Sequence, residues 1–287
     1  MGFVPWSSQP LDEWAAKHAP GKFIDLDGHQ THYVDKGSGK PVVLVHGLAG
    51  DTVSWAKNID ALARSHRVLA LDLWGFGYSS REPMDYGYPL YVRQVALFMQ
   101  ALGLERASFV GQSMGGGTCI CLAVEQPDMV EKLVLVSPGG MPNPPAFAQK
   151  VVALPGIGHA LLNLRTDAVR KLIMKQSFYY DPSSITREEF DDLACYQKIK
   201  GTNEVFIDIC RRRFFDTLLP QIRQLGATGI PVLIVWGRQD RSIALQKGRS
   251  MHRLLPGARL EVFDRSGHMP HVEHPGRFNQ LVLEFLG

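Results

Sequence analysis

Very little in this chain is in excess, and each shortage excludes something. The 287 residues contain only four cysteines, Cys119, Cys121, Cys195 and Cys210. Cys119 and Cys121 lie two apart on one expected helix and point in different directions, which is poor geometry for a disulfide. No cysteine and histidine cluster has metal-site spacing, so small buried thiols in a reducing compartment are expected. The formal net charge is only +3, with lysine and arginine spread along the chain, which leaves no basic footprint for nucleic acid. Residues 1–20 carry Asp12, Glu13 and two tryptophans without a continuous apolar stretch. That stretch predicts neither a signal peptide nor a membrane span, and the cytoplasm is the expected location. No internal repeat or low-complexity segment is visible.

What is present is a hydrophobic fraction of 45%, enough to bury one large core plus an insertion. Residues 23–26, 30–35 and 42–46 read as strands separated by the turns Asp27-Gly28 and Gly37-Ser38-Gly39. A helix is expected over 55–65, an apolar strand over 67–72, and a helix over 88–102 after a glycine-rich loop. A strand over 104–110, a helix over 114–126 and a strand over 132–137 follow. Strands and helices alternating at these lengths predict an α/β fold with a mostly parallel sheet covered on both faces. From 138 to 229 strand-like runs are lacking and apolar residues recur at helical spacing, which predicts an inserted helical cap. Thr186 and Glu189 fit a capping box opening a helix with Phe190, Leu193 and Tyr196 on one face. Strand signals resume at 231–236, with a helix over 243–254, a strand over 259–263 and a last helix over 273–285. The expected organisation is a core of residues 1–140 and 230–287 with a cap over 141–229.

The most informative stretch is Gly111-Gln112-Ser113-Met114-Gly115, a G-x-S-x-G run between an apolar strand and a helix. A serine there sits on a sharp reversal, with glycines at 111 and 115 letting strand and helix approach closely. A free serine hydroxyl is a weak nucleophile, so this reading requires a general base and donors for an oxyanion. Asp240 follows the strand 232–236 and His268 follows the strand 259–263, which puts both at the carboxyl edge where open parallel sheets bind ligands. Asp264 competes with Asp240, and His271 and His274 compete with His268. In the order Ser113, Asp240, His268 the carboxylate would fix the imidazole tautomer and stabilise the imidazolium formed when histidine takes the serine proton. The amides of Met114 and of Leu48, in the loop after strand 42–45, are the expected oxyanion donors. His46 reads as a structural support of that loop, and Asp72 with Gly75 and Gly77 as the shaper of a turn beside the site.

The segments HGLAG, DLWGFGYSS, GQSMGG, WGRQD and SGHMPHVEHP, in order and spacing, resemble the motifs of the alpha/beta-hydrolase superfamily, over nearly the whole chain. The resemblance implies the alpha/beta-hydrolase fold and a serine nucleophile. Epoxide hydrolases and haloalkane dehalogenases of this superfamily carry aspartate where this chain has Ser113, so those activities are disfavoured. The reading is a hydrolase of carboxylic esters of small or medium apolar substrates, similar to carboxylesterases and monoacylglycerol lipases, working through an acyl-serine without metal or organic cofactor.

The alternative within the superfamily is a carbon-carbon bond hydrolase of ring-fission products, which shares the cap, the triad and an arginine for the substrate carboxylate. Its members tend to carry asparagine before the nucleophile and tryptophan after the histidine, where this chain has Gln112 and Met269. A hydrolase-fold ligand receptor with slow turnover is a rival from another class, and cofactor-free peroxidation a further one. In Arg211-Arg212-Arg213, a helix over 204–215 would place Arg213 on the stripe of Phe206, Ile209, Cys210 and Phe214. There it would point under the cap toward a substrate carboxylate; a solvated helix face is the other reading.

Overall fold

The computed structural model describes residues 4–144, 147–164, 170, 177–181, 183, 185–212 and 217–287. Among these, eight strands form one sheet: β1 Lys22–Leu26, β2 His29–Lys36, β3 Pro41–Val45, β4 Arg67–Leu71, β5 Ala107–Gln112, β6 Val130–Val136, β7 Val232–Gly237 and β8 Arg259–Phe263. Their spatial order is β1-β2-β4-β3-β5-β6-β7-β8. β1 pairs antiparallel with β2 and β2 with β4, while the remaining neighbours are parallel.

The apolar runs of the central strands follow from this topology. Side chains of a strand alternate between faces, so a strand covered on both sides is apolar at every position. Val43 and Val45 of β3 enter one core with Leu69, Phe109, Leu135 and Ile234. Val42 and Leu44 enter the other with Val68, Val110, Val134 and Val235. Tyr88–Ala101 and Met114–Glu125 cover the first face, and Ala56–Leu62 and Pro275–Leu286 the second.

Some boundaries differ from the expected ones. The helix expected over 55–65 is a 3-10 turn, Thr52–Trp55, continued by Ala56–Leu62. The last helix is divided into Pro270–Glu273 and Pro275–Leu286, because Pro275 has no N–H to continue the first. An unanticipated helix, Leu11–His18, precedes β1. The capping box forms as expected, with Thr186 and Glu189 each binding the other's backbone.

Between β6 and β7 the described elements are all helical. Leu219–Leu225, placed in the cap on sequence, instead packs on Met114–Glu125 and Leu245–Leu254, and so belongs to the layer covering the sheet. Its Ile222 and Leu225 supply apolar atoms to the first core. Residues 7–9 bind the backbone of residues 197 and 198, and Trp6 lies between Lys198 at 3.3 Å and Arg170 at 3.9 Å from its ring centroid. No described helix is long and apolar enough to cross a membrane.

Candidate active site

Ser113 stands at the end of β5 with φ 52° and ψ −115°, a strained conformation for a residue with a Cβ. Three bonds hold it: its N–H donates to Val136 O at 2.9 Å, and its carbonyl accepts from Gly139 N at 2.8 Å and Gly117 N at 3.1 Å. A Cβ at position 115 would sit 2.2 Å from Val45 O, so glycine alone lets the helix start this close to the sheet. The reversal lifts the hydroxyl above the carboxyl edge of the sheet, where Ser113 is partly exposed.

Asp240 and His268 reach that edge from the ends of β7 and β8. Asp240 Oδ1 accepts from the amides of Ser242 at 2.8 Å and Ile243 at 2.9 Å, and Oδ2 lies 2.8 Å from His268 Nδ1. A carboxylate only accepts, so Nδ1 carries the proton and Nε2 is left with its lone pair, the tautomer a general base requires. Asp240 is buried, and so is His268. The His268 carbonyl accepts from Gln112 Nε2 at 3.3 Å, which ties the histidine segment to the residue before the serine. The Ser113 hydroxyl forms no hydrogen bond among the described residues; contacts of this kind commonly tighten only around a substrate.

The competing residues are placed elsewhere. Asp264 is exposed and pairs with Arg238. His271 is buried between the rings of Trp55 at 4.4 Å and Phe278 at 5.8 Å. Burial, and then the nearby His268, push its pKa down to about 3, so it is a neutral core side chain. His274 donates from Nε2 to Arg265 O at 3.0 Å.

The loop after β3 presses against the elbow. A Cβ on Gly47 would lie 2.1 Å from Gln112 Oε1 and 2.9 Å from Ser113 Cβ. Leu48 follows at once, and its amide and that of Met114 donate to nothing among the described residues. Met114 opens its helix, where first-turn amides have no intrahelical acceptor. His46 supports the loop as expected: Nδ1 donates to Gly47 O at 2.7 Å, and Nε2 accepts from Leu73 N at 2.9 Å. Burial depresses the His46 pKa, in keeping with that neutral tautomer. Asp72 accepts from Thr52 N at 2.7 Å and Tyr78 N at 2.8 Å, binding the loop to the turn containing Gly75 and Gly77.

Arg213 lies outside the described residues. The helix expected to carry it, Thr202–Arg211, buries Ile209 and Cys210 of the expected stripe and also Val205 and Ile207, which were not on it, while Phe206 is half-buried. Arg211 and Arg212 are exposed, Arg211 donating to Ala153 O and Arg212 to Asp208. Sequence reasoning missed three residues near the site. His32 supports Asp72, Phe178 stacks on the His268 ring at 5.9 Å, and Glu273 bonds the histidine loop. Only Glu273 lay inside a recognised motif.

A family model for the alpha/beta hydrolase fold matches residues 40–157 and 160–275. The chain is 34% identical, over 99% of itself and 74% of the relative, to the dihydrolipoyllysine-residue acetyltransferase component of an acetoin cleaving system from Cupriavidus necator. It is 31% identical, over 93% of each chain, to a 2-hydroxymuconate semialdehyde hydrolase from Pseudomonas sp. strain CF600. A solved meta-cleavage product hydrolase from Pseudomonas fluorescens IP01 superimposes with a TM-score of 0.81 at 31% identity, covering 93% of this chain and 97% of the other. With the elbow, the carboxyl-edge acid and histidine and the eight-stranded sheet in place, the chain belongs to the alpha/beta-hydrolase family.

Proposed function

We propose that this hydrolase cleaves a carbon-carbon bond beside a ketone in an acidic ring-fission product, through an acyl-serine. The observation that carries the substrate class is the likeness, above 30% identity and over nine tenths of both chains, to a 2-hydroxymuconate semialdehyde hydrolase and a meta-cleavage product hydrolase. It reverses the order reached from sequence, in which ester cleavage ranked first.

Ser113 Oγ adds to the ketone carbon as His268 Nε2 takes its proton, and the amides of Leu48 and Met114 receive the oxyanion. Collapse of the oxyanion breaks the carbon-carbon bond. The leaving carbon departs only if conjugation to a further carbonyl spreads its charge, and it receives the proton held by His268. Water, deprotonated by the same imidazole, then releases the acid and frees Ser113. Asp240 holds Nδ1–H throughout, orienting the ring and stabilising its charged form.

Ester hydrolysis needs the same groups and an easier leaving group. Gln112 and Met269, which depart from the carbon-carbon hydrolase pattern, favour it as the second reading. Parallel assays of a coloured 2-hydroxy-6-oxodienoate and a p-nitrophenyl ester decide between them. The expected result is a kcat/KM for the dienoate at least about a hundredfold above that for the ester. Fast ester cleavage with sluggish dienoate decay would restore the esterase reading.

A further inference from the structure

Glu273 is half-buried and is spent entirely on backbone and hydroxyl donors from two parts of the chain. Its Oε2 accepts from Gly267 N at 2.6 Å and Ser266 Oγ at 3.2 Å, the two residues before His268. Its Oε1 accepts from Tyr180 N at 2.7 Å, in the helical insertion. The same stretch of insertion holds the histidine directly: Phe178 O accepts from His268 N at 2.7 Å, and the Phe178 ring stacks on the imidazole. A Cβ on Gly267 would lie 2.6 Å from Phe178 O, so the two backbones are in contact. The insertion also reaches the acid loop, where Ser242 Oγ donates to Ser177 O at 2.9 Å.

We infer that Glu273 is a positioning residue which, by binding residues 266–267 and Tyr180 together, makes the insertion at 177–181 a wall of the His268 socket, so that His268 is aligned with Ser113 only while this insertion segment is seated. The inference rests on the triad reading. Only a carboxylate meets the requirement, since both oxygens face donors. A glutamine has one acceptor, and its amide N–H would confront either Tyr180 N–H or Gly267 N–H. A side chain that merely filled space would be replaced by glutamine without consequence.

Burial raises the Glu273 pKa against the lowering effect of its hydrogen bonds from Gly267, Tyr180, Ser266 and Asp181. The other ionisable side chains on residues 177–181 and 264–274 are Tyr179, Tyr180, Asp181, Asp264, Arg265, His268, His271 and His274. Protonated Glu273, like glutamine, has lost one of its acceptors. The wild type should therefore converge on Glu273→Gln as pH falls.

The test is the rate of Ser113 modification by a fluorophosphonate, which reads alignment of serine and histidine without choosing a substrate, combined with amide hydrogen exchange. Glu273→Gln is expected to slow labelling about tenfold or more, with the ratio to wild type shrinking toward one in acid. Exchange at the His268 and Tyr180 amides should quicken in parallel. Labelling within twofold of wild type, or slower labelling with both amides as protected as before, would overturn the inference. A wild type that is not labelled at Ser113 would instead overturn the triad reading beneath it. Should Glu273→Gln fail to fold, Ser266→Ala deletes one donor and keeps the carboxylate; about a threefold slowing is expected, and no slowing counts against the proposal.

Discussion

His32 Nδ1 lies 2.7 Å from Asp72 Oδ2 in the interior, and the second ring nitrogen of the same histidine lies 3.1 Å from Pro20 O. Neither a carboxylate nor a carbonyl can donate, so both ring nitrogens must, and the ring is an imidazolium. The Phe23 and Tyr78 rings pack around it at 5.2 Å and 5.4 Å. Burial opposes this charge, but Asp72, by its own charge and hydrogen bond, and then Pro20 O raise the His32 pKa above its ordinary value. The pair supports the acceptors that hold Thr52 and Tyr78, and through them the loop of Leu48.

Because the folded pKa of His32 is raised, its contribution to stability is complete below about pH 6.5 and is lost as pH rises through the folded value. The melting temperature should therefore fall on the alkaline side in the wild type and lose that component in His32→Gln. The variant should cost about 3–5 kcal/mol, since Asp72 would be left charged in the interior without the imidazolium opposite it. Denaturant unfolding across pH, with 15N shifts of the imidazole, checks both; a His32 ring that titrates below its ordinary value of about 6.5 would refute them.

Under the proposed chemistry, Ser113→Ala should lose at least about a thousandfold in kcat, leaving what the oxyanion donors and binding supply. Asp240→Asn should lose about as much, through the wrong imidazole tautomer, with little change in melting temperature. Steady-state kinetics on one ester and one dienoate measure both. An Asp264→Asn variant is expected to keep wild-type rates.

Gly47→Ala places a methyl group against Gln112 and Ser113. Overpacking at such a position costs about 1–3 kcal/mol. A larger effect is expected on turnover, about a hundredfold, as the Leu48 amide is displaced from the oxyanion. An alanine variant with full activity would show that the loop does not supply the donor.

If Arg213 binds the carboxylate of an acidic substrate, Arg213→Ala should raise KM for an acidic dienoate by about tenfold or more, the worth of one hydrogen bond to a charged group, and leave KM for a neutral ester unchanged. Equal KM values for both substrates in variant and wild type would remove Arg213 from the site and weaken the acidic-substrate reading with it.

Much of the site was legible because its parts are local. The elbow needs a strand, a serine between glycines and a helix within a dozen residues, and Gly111 to Gly117 declare all of it. Asp240 and His268 were legible because the first follows the apolar strand β7 and the second the next strand, β8, and parallel neighbours in a sheet end at the same edge. The helical insertion was legible only as a change of pattern. Its helices are short and bury irregular faces, so periodicity neither placed Leu219–Leu225 in the sheet-covering layer nor fixed the end of Thr202–Arg211.

By itself, then, the order of residues determined the sheet, the turn at Ser113 and which loops meet at its edge, since these follow from strand alternation and the special backbone at a few glycines. Folding in three dimensions decided the hydrogen bond between Asp240 and His268, the charge on His32 and the grip of Glu273 on residues of the insertion. Those depend on which donors and acceptors face each other once water is excluded, and partners 28, 40 and 93 positions apart leave no periodic trace along the chain.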